Sequence, residues 1–181
     1  MTMRVRTALT LLQSRSRPRI DVHDIATLPM RVWPSDTDVL RHMNNGVYLS
    51  IMDVGRYDLL VRSGLWRTLK AHQVYPVVTS ETISFRKSLL PRQRYVLNTK
   101  IVGYDAISVY VEQRFTVEDE VFAVGFVRGR MLRRGAGALS MSEIGTLTGV
   151  DVGSRAAPAW LTDWAATVAL PSTRTSHPNR W

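Results

Sequence analysis

The sequence predicts an α+β fold in which one antiparallel sheet curls round a single long helix. Three observations predict it. Val47 to Trp66 is apolar nearly all round a helical wheel, four strand-like segments follow it in a row, and only one sheet is on hand to cover that helix. The 181 residues, 45% of them hydrophobic, suit a single domain able to bury most of its apolar surface in one core.

The chain opens on a basic segment. Arg4, Arg6, Arg15, Arg17 and Arg19 all precede the first acidic residue, Asp21. Met1 to Arg19 reads as an organelle presequence, a membrane-surface helix around Leu9, Leu11 and Leu12, or a disordered basic arm, and the arm is the plainest of the three. Residues 1–22 are accordingly assigned to a basic N-terminal arm and 23–134 to the folded domain. Residues 135–181 are assigned to a linker, a short C-terminal helix and a polar tail.

Leu28 to Trp33 alternates like a strand, and Pro34 ends it because proline cannot continue a ladder. Asp36-Thr37-Asp38-Val39-Leu40-Arg41-His42-Met43-Asn44-Asn45-Gly46-Val47-Tyr48 follows, bringing carboxylates, an imidazole and amides to the head of the apolar helix. Free N–H groups and the helix dipole favour negative charge there, so a developing oxyanion has a natural seat. The plain alternative is a capping loop, since Asp and Asn both turn the chain and cap helices.

In the helix, Tyr48, Met52, Gly55 and Leu59 share one stripe. Gly55 lowers helix propensity by about 1 kcal/mol, so its expected use is close approach to the sheet. Asp53 with Arg56 and Asp58 with Arg62 are spaced to pair, and Ser63-Gly64 supplies the stop. Strands are expected over Val77–Lys87, Arg94–Gly103, Ile107–Val117 and Val121–Leu132. In the third, Ile107, Val109, Val111, Phe115 and Val117 are expected to face the core, with Ser108, Tyr110, Glu112, Arg114 and Thr116 in water. Gly135 to Ala138 reads as a linker and Ala157 to Leu170 as a short helix before a peripheral tail.

Composition narrows the chemistry. No cysteine occurs, which removes disulfides, thiolate catalysis and cysteine zinc sites and fits a cytosolic address. No run approaches the ~20 apolar residues of a membrane span. The net charge of +9 attracts anions: nucleic acid, acidic lipid or a phosphorylated ligand. Aromatic residues are not interleaved with the basic strand positions beyond Phe85 and Tyr95, which argues against a nucleic-acid surface. His23, His42, His72 and His177 are too scattered for a metal site, and no phosphate-binding glycine loop occurs.

Asp36-Thr37-Asp38, His42-Met43-Asn44-Asn45 with Tyr48, and the helix bearing Asp53 and Arg56 together resemble the hotdog-fold acyl-CoA thioesterases of the hydroxybenzoyl-CoA thioesterase and thioesterase-superfamily type. The likeness extends more loosely to about Arg134. It implies an acyl-CoA substrate, no cofactor, and a homodimer or dimer of dimers whose sheets join edge to edge with the active site at the subunit interface. The family's catalytic carboxylate falls on Asp38, as general base toward water or as nucleophile. Its oxyanion donor, an amide in the first helical turn, falls on Asn45, with Gly46 beside it.

His42 either orients Asp38, binds substrate or is a hydrogen-bonded loop histidine. Asn44 is expected as N-cap and Asp36 as a loop-organising acceptor. Tyr48 is a candidate substrate contact. Arg86, Lys87, Arg128, Arg130, Arg133 and Arg134 are candidates for the CoA phosphates, against a plain solvated basic edge. Val121 to Val127 either lines an acyl pocket or packs the core. The chain departs from the aryl-CoA enzymes in carrying Arg41-His42-Met43-Asn44-Asn45 after the Asp, where they have apolar and aromatic residues. A hotdog hydratase is disfavoured because Asp-x-Asn-Pro-x-His is absent. A non-catalytic acyl-thioester or lipid binder, touching a membrane through its basic N-terminus, is the reading from another class.

Overall fold

The computed structural model describes residues 3–171 and 176–179. Its strands are β1 (Ala26–Arg31), β2 (Val74–Phe85), β3 (Arg94–Tyr104), β4 (Val109–Val117), β5 (Glu120–Arg133) and the two-residue β6 (Gly137–Ala138). They form one antiparallel sheet in the order β1-β3-β4-β5-β2, with β6 paired to the end of β5. The helices are α1 (Met3–Ser16), α2 (Asn45–Arg62), α3 (Leu65–Ala71), α4 (Met141–Thr148) and α5 (Ala159–Thr167).

The long apolar helix is α2, and the sheet wraps it as expected. Ile51, Met52, Val54 and Leu59 are buried against Leu97, Phe115 and Val127 from the strands. Gly55 lets helix and sheet approach closely: a Cβ there would lie 2.5 Å from Leu97 Cδ2 and 2.8 Å from Gln113 Nε2. Gly64, at φ +83°, breaks the expected helix and starts α3 as a separate short helix.

Several expectations are corrected. The N-terminal segment is no disordered arm: residues 3–16 are helical and pack along α2, with Arg6, Thr10 and Ser14 buried. β2 starts three residues earlier than expected and runs through Pro76, tolerated because β2 has a neighbour on one side only. The outer face of β4 is not all in water. Tyr110 is buried beneath Leu161 and Ala165 of α5, which lies on the convex face with Phe126 and Val102. The expected Gly135–Ala138 linker contains β6, and α4 follows at Met141 with Met141 and Ile144 in the core. Its sequence signal was present: Ser140 and Glu143 form a capping box.

Candidate active site

The Asp38 loop is a hairpin-like excursion between β1 and α2, held at its base by backbone pairing. Thr37 and Met43 form a bridge, the Asn44 N–H donates to the Asp36 carbonyl at 2.8 Å, and the Met43 N–H donates to the Leu89 carbonyl at 2.8 Å. Tyr48 braces the same point, its hydroxyl accepting from the Leu89 N–H at 3.2 Å. Tyr48 is therefore a core residue, packed edge-on against Phe85 and Phe115 and closed to a substrate, contrary to the expectation for it. Burial raises its hydroxyl pKa, an effect opposed by the Leu89 amide.

At the loop's tip the Asp38 Oδ1 accepts from the N–H groups of Leu40 at 2.9 Å and His42 at 3.2 Å. Its second oxygen has no partner among the described residues, and the residue is half-buried. Arg41 takes a positive φ of 62° to close this turn. His42 meets Asp38 through its backbone, the Asp38 N–H donating to the His42 carbonyl at 2.9 Å, while its imidazole makes no hydrogen bond among the described residues. Beyond Asp38 the loop exposes Val39 (96%) and Leu40 (71%), an apolar tip left to solvent.

Asn44 is the N-cap of α2, its side chain accepting from the Gly46 N–H at 2.9 Å. That bond occupies the Gly46 amide. The Asn45 N–H, the first of the helix, has no acceptor among the described residues, so it is the free donor at the positive end of the dipole.

Asp36 organises the loop, as expected, but with a partner that sequence reasoning missed. Its Oδ2 accepts from the Trp33 N–H at 2.8 Å and from Arg6 Nη2 at 2.6 Å, an ion pair with side chains only 4% and 5% exposed. The spacing of Arg6, Thr10 and Ser14 puts them on one side of α1 but does not say which way that side faces; the partner 30 residues away decides it.

The basic candidates scatter. Arg86 and Lys87 both bind Glu120, at 2.6 and 2.7 Å, and Lys87 first, then Arg86, hold that carboxyl below its usual range. Arg128 donates to Ser108 at 2.9 Å beside Asp105. Arg130 and Arg133 are half-buried, and Arg134 is exposed. They are not gathered round Asp38 by any contact among the described residues.

Between α2, the sheet and α4 lies an apolar cavity of about 110 Å³, lined by Leu60, Leu69, Val109, Val127, Met131, Met141 and Ile144, among others. From the expected Val121–Val127 run only Val127 reaches it, because the inward-facing Gly125 is filled by Met52. At its rim Arg56 pairs with Asp53 and donates to Gln113 at 2.8 Å, and the fully buried Gln113 donates to Thr99 and to the Met52 carbonyl, each at 2.9 Å. Glu81 lies 3.9 Å from Arg56; desolvation raises its carboxyl pKa against the pull of Arg56.

Residues 32–166, most of the chain, with α2 and every strand of the sheet but β1, match the family model of the thioesterase-like superfamily. The chain belongs to the thioesterase-like superfamily. Among its relatives, Protein THEM6 of Danio rerio is 38% identical over 104 residues, 58% of this chain and 50% of that protein. The long-chain acyl-CoA thioesterase FadM of Escherichia coli is 26% identical over 83 residues, 46% of this chain and 63% of that one. The chain spans only 50% to 61% of the length of the THEM6 relatives from Danio rerio, Xenopus laevis and Drosophila melanogaster. Among solved structures, the YbaW probable thioesterase from Escherichia coli superposes with a TM-score of 0.63 at 21% identity, over 67% of this chain and 95% of that one. The fold is thus the hotdog of thioesterase-superfamily proteins.

Proposed function

We propose that the protein hydrolyses an acyl-CoA thioester to the free acid and CoA, with Asp38 acting on water or directly on the carbonyl. The observation that carries this is the Asp38 carboxylate itself: one oxygen is fixed by two loop amides, the other is open, and the next backbone feature along the chain is a helix N-terminus with a free Asn45 amide. A carboxylate so oriented has its reactive oxygen prepositioned, and a free amide at a positive dipole end is suited to a developing oxyanion. Membership of the superfamily supports thioester chemistry. The apolar cavity supports an aliphatic acyl group, since it presents almost no polar surface to an aromatic hydroxyl.

A homodimer joined through β2 completes this reading. That strand has one paired edge, and Tyr75, Val78 and Phe85 along it are 42%, 39% and 44% exposed, an edge poised for another strand. Light scattering of the purified protein tests the dimer.

The decisive experiment follows thiol release from short, long and aromatic acyl-CoAs by wild type beside Asp38→Asn. Release by wild type, preferring an aliphatic chain and lost in the variant, is the expected result. Equal turnover by the variant removes Asp38 from the chemistry, and binding without turnover by wild type replaces hydrolysis with an acyl-binding role.

A further inference from the structure

The N-terminal helix is mounted inside out. Going round α1, the inward side carries Arg6, Thr10 and Ser14, all buried, while Val5, Leu9 and Leu12 are 49%, 45% and 60% exposed. A surface helix ordinarily does the reverse, burying its apolar residues and wetting its polar ones. The rotation is locked. Arg6 binds Asp36 at 2.6 Å, Ser14 binds Asp58 at 2.6 Å, and Arg17, just past the helix, binds Asp58 at 3.1 Å. Turning the apolar ridge inward would break these contacts and strand charge in the interior. The exposure of Val5, Leu9 and Leu12 is therefore built into the fold.

The ridge leads directly into a basic groove. Arg15, one turn beyond Leu12 on the outward side, begins a groove of about 570 Å³ whose lining also includes Arg19, Trp66, Arg67 and Lys70 and no acidic residue. All four cations are exposed, and none forms an ion pair with a carboxylate among the described residues. An apolar ridge, a tryptophan and unpaired cations side by side are the combination that lies on an anionic bilayer: the side chains enter the acyl boundary while the cations meet lipid phosphates. A second copy is the less fitting occupant, because a two-fold contact along the ridge brings two such groups of unneutralised cations toward one another.

We propose that this face, formed by the outward side of α1 and the Arg15, Arg19, Arg67 and Lys70 groove, docks the protein on anionic lipid membranes. The proposal is independent of the hydrolytic reading and stands or falls without it.

The test is vesicle co-sedimentation of the full chain with phosphatidylglycerol/phosphatidylcholine vesicles and with pure phosphatidylcholine. Wild type is expected to partition at least ten-fold more strongly to the anionic vesicles, less so as salt rises. The ridge variant Leu9→Ser/Leu12→Ser and the groove variant Arg67→Gln/Lys70→Gln are each expected to lose at least ten-fold, with circular dichroism and melting unchanged. Because the chain has no cysteine, Leu12→Cys and Ala166→Cys accept single environment-sensitive fluorophores. The Leu12 probe is expected to shift to the blue on anionic vesicles, and the Ala166 probe, on the opposite side of the sheet, is not. This pair of probes decides the matter even if a double variant folds poorly. Wild type left in the supernatant overturns the proposal. So does undiminished binding by the ridge variant, which marks adsorption by net charge alone. Loss of self-association in that variant without vesicle binding by wild type also overturns it, and assigns the ridge to a second copy.

Discussion

Asp38 and Asp58 lie toward opposite ends of the same helix and are opposites in their surroundings. Asp38, before its first turn, is half-buried, held by two backbone amides through one oxygen, and open at the other. Asp58, in its last turns, is 0% exposed, and Ser14, Arg17 and Arg62 share its two oxygens at 2.6, 3.1 and 3.3 Å. Under the proposed function, the difference separates chemistry from architecture. A carboxylate that reacts must keep an oxygen free and water near, whereas one that ties α1 to α2 must be neutralised on every side, since unpaired buried charge is prohibitive.

The contrast breaks most visibly at Asp58. Asp58→Ala is expected to lower stability by about 3–5 kcal/mol, because it leaves the buried Arg62 without its carboxylate. Denaturant melts check this, and hydrolysis per folded molecule should hold. Asp38→Asn is expected to invert that pattern: hydrolysis falls by at least about 100-fold while the melting temperature moves by a few degrees at most.

Between the two carboxylates lies Gly55, which sharpens the comparison by testing packing without charge. Gly55→Ala is expected to cost about 1–3 kcal/mol, because the new Cβ meets Leu97, Thr99 and Gln113 together and the buried glutamine cannot swing away. Asn44→Ala probes the Asp38 end of the helix structurally. Loss of the cap should cost about 1 kcal/mol, read from chemical denaturation, and free the Gly46 amide.

The smallest effect belongs to Glu81. Its carboxyl pKa is raised by burial in the folded state, so the folded protein holds this proton more firmly than the unfolded chain does. The stability it contributes is complete below the ordinary glutamate pKa and fades as pH rises through the raised one. Glu81→Gln should therefore raise the melting temperature slightly at pH 7 and leave it unchanged at pH 4. Equal shifts at both pH values would assign the effect to packing.

Much of this was legible beforehand, for identifiable reasons. The apolar wheel of α2, the pairs Asp53–Arg56 and Asp58–Arg62, the Ser63-Gly64 stop and the Asn44 cap are interactions between residues a turn apart or less, and local spacing reports them. Long-range partners were not legible. Arg6 and Asp36 are 30 residues apart and Ser14 and Asp58 are 44 apart, so a basic N-terminus read as a solvated arm although it is a docked helix. Tyr110 sits on the half of β4 that alternation assigns to water, and only α5, arriving from the far end of the chain, covers it.

By itself, then, the sequence determined the α+β class, the helix at the centre of the sheet and the position of the polar Asp38 loop at that helix's head, because period, caps and breakers act over a few residues. Tertiary structure alone decided which carboxylate is saturated and which stays open, that Gly46 is capped while Asn45 is free, that Tyr48 is core, and that α1 faces its leucines outward. Those outcomes depend on which distant side chains converge in space, and the desolvation of charge that enforces them exists only once the chain has closed around it.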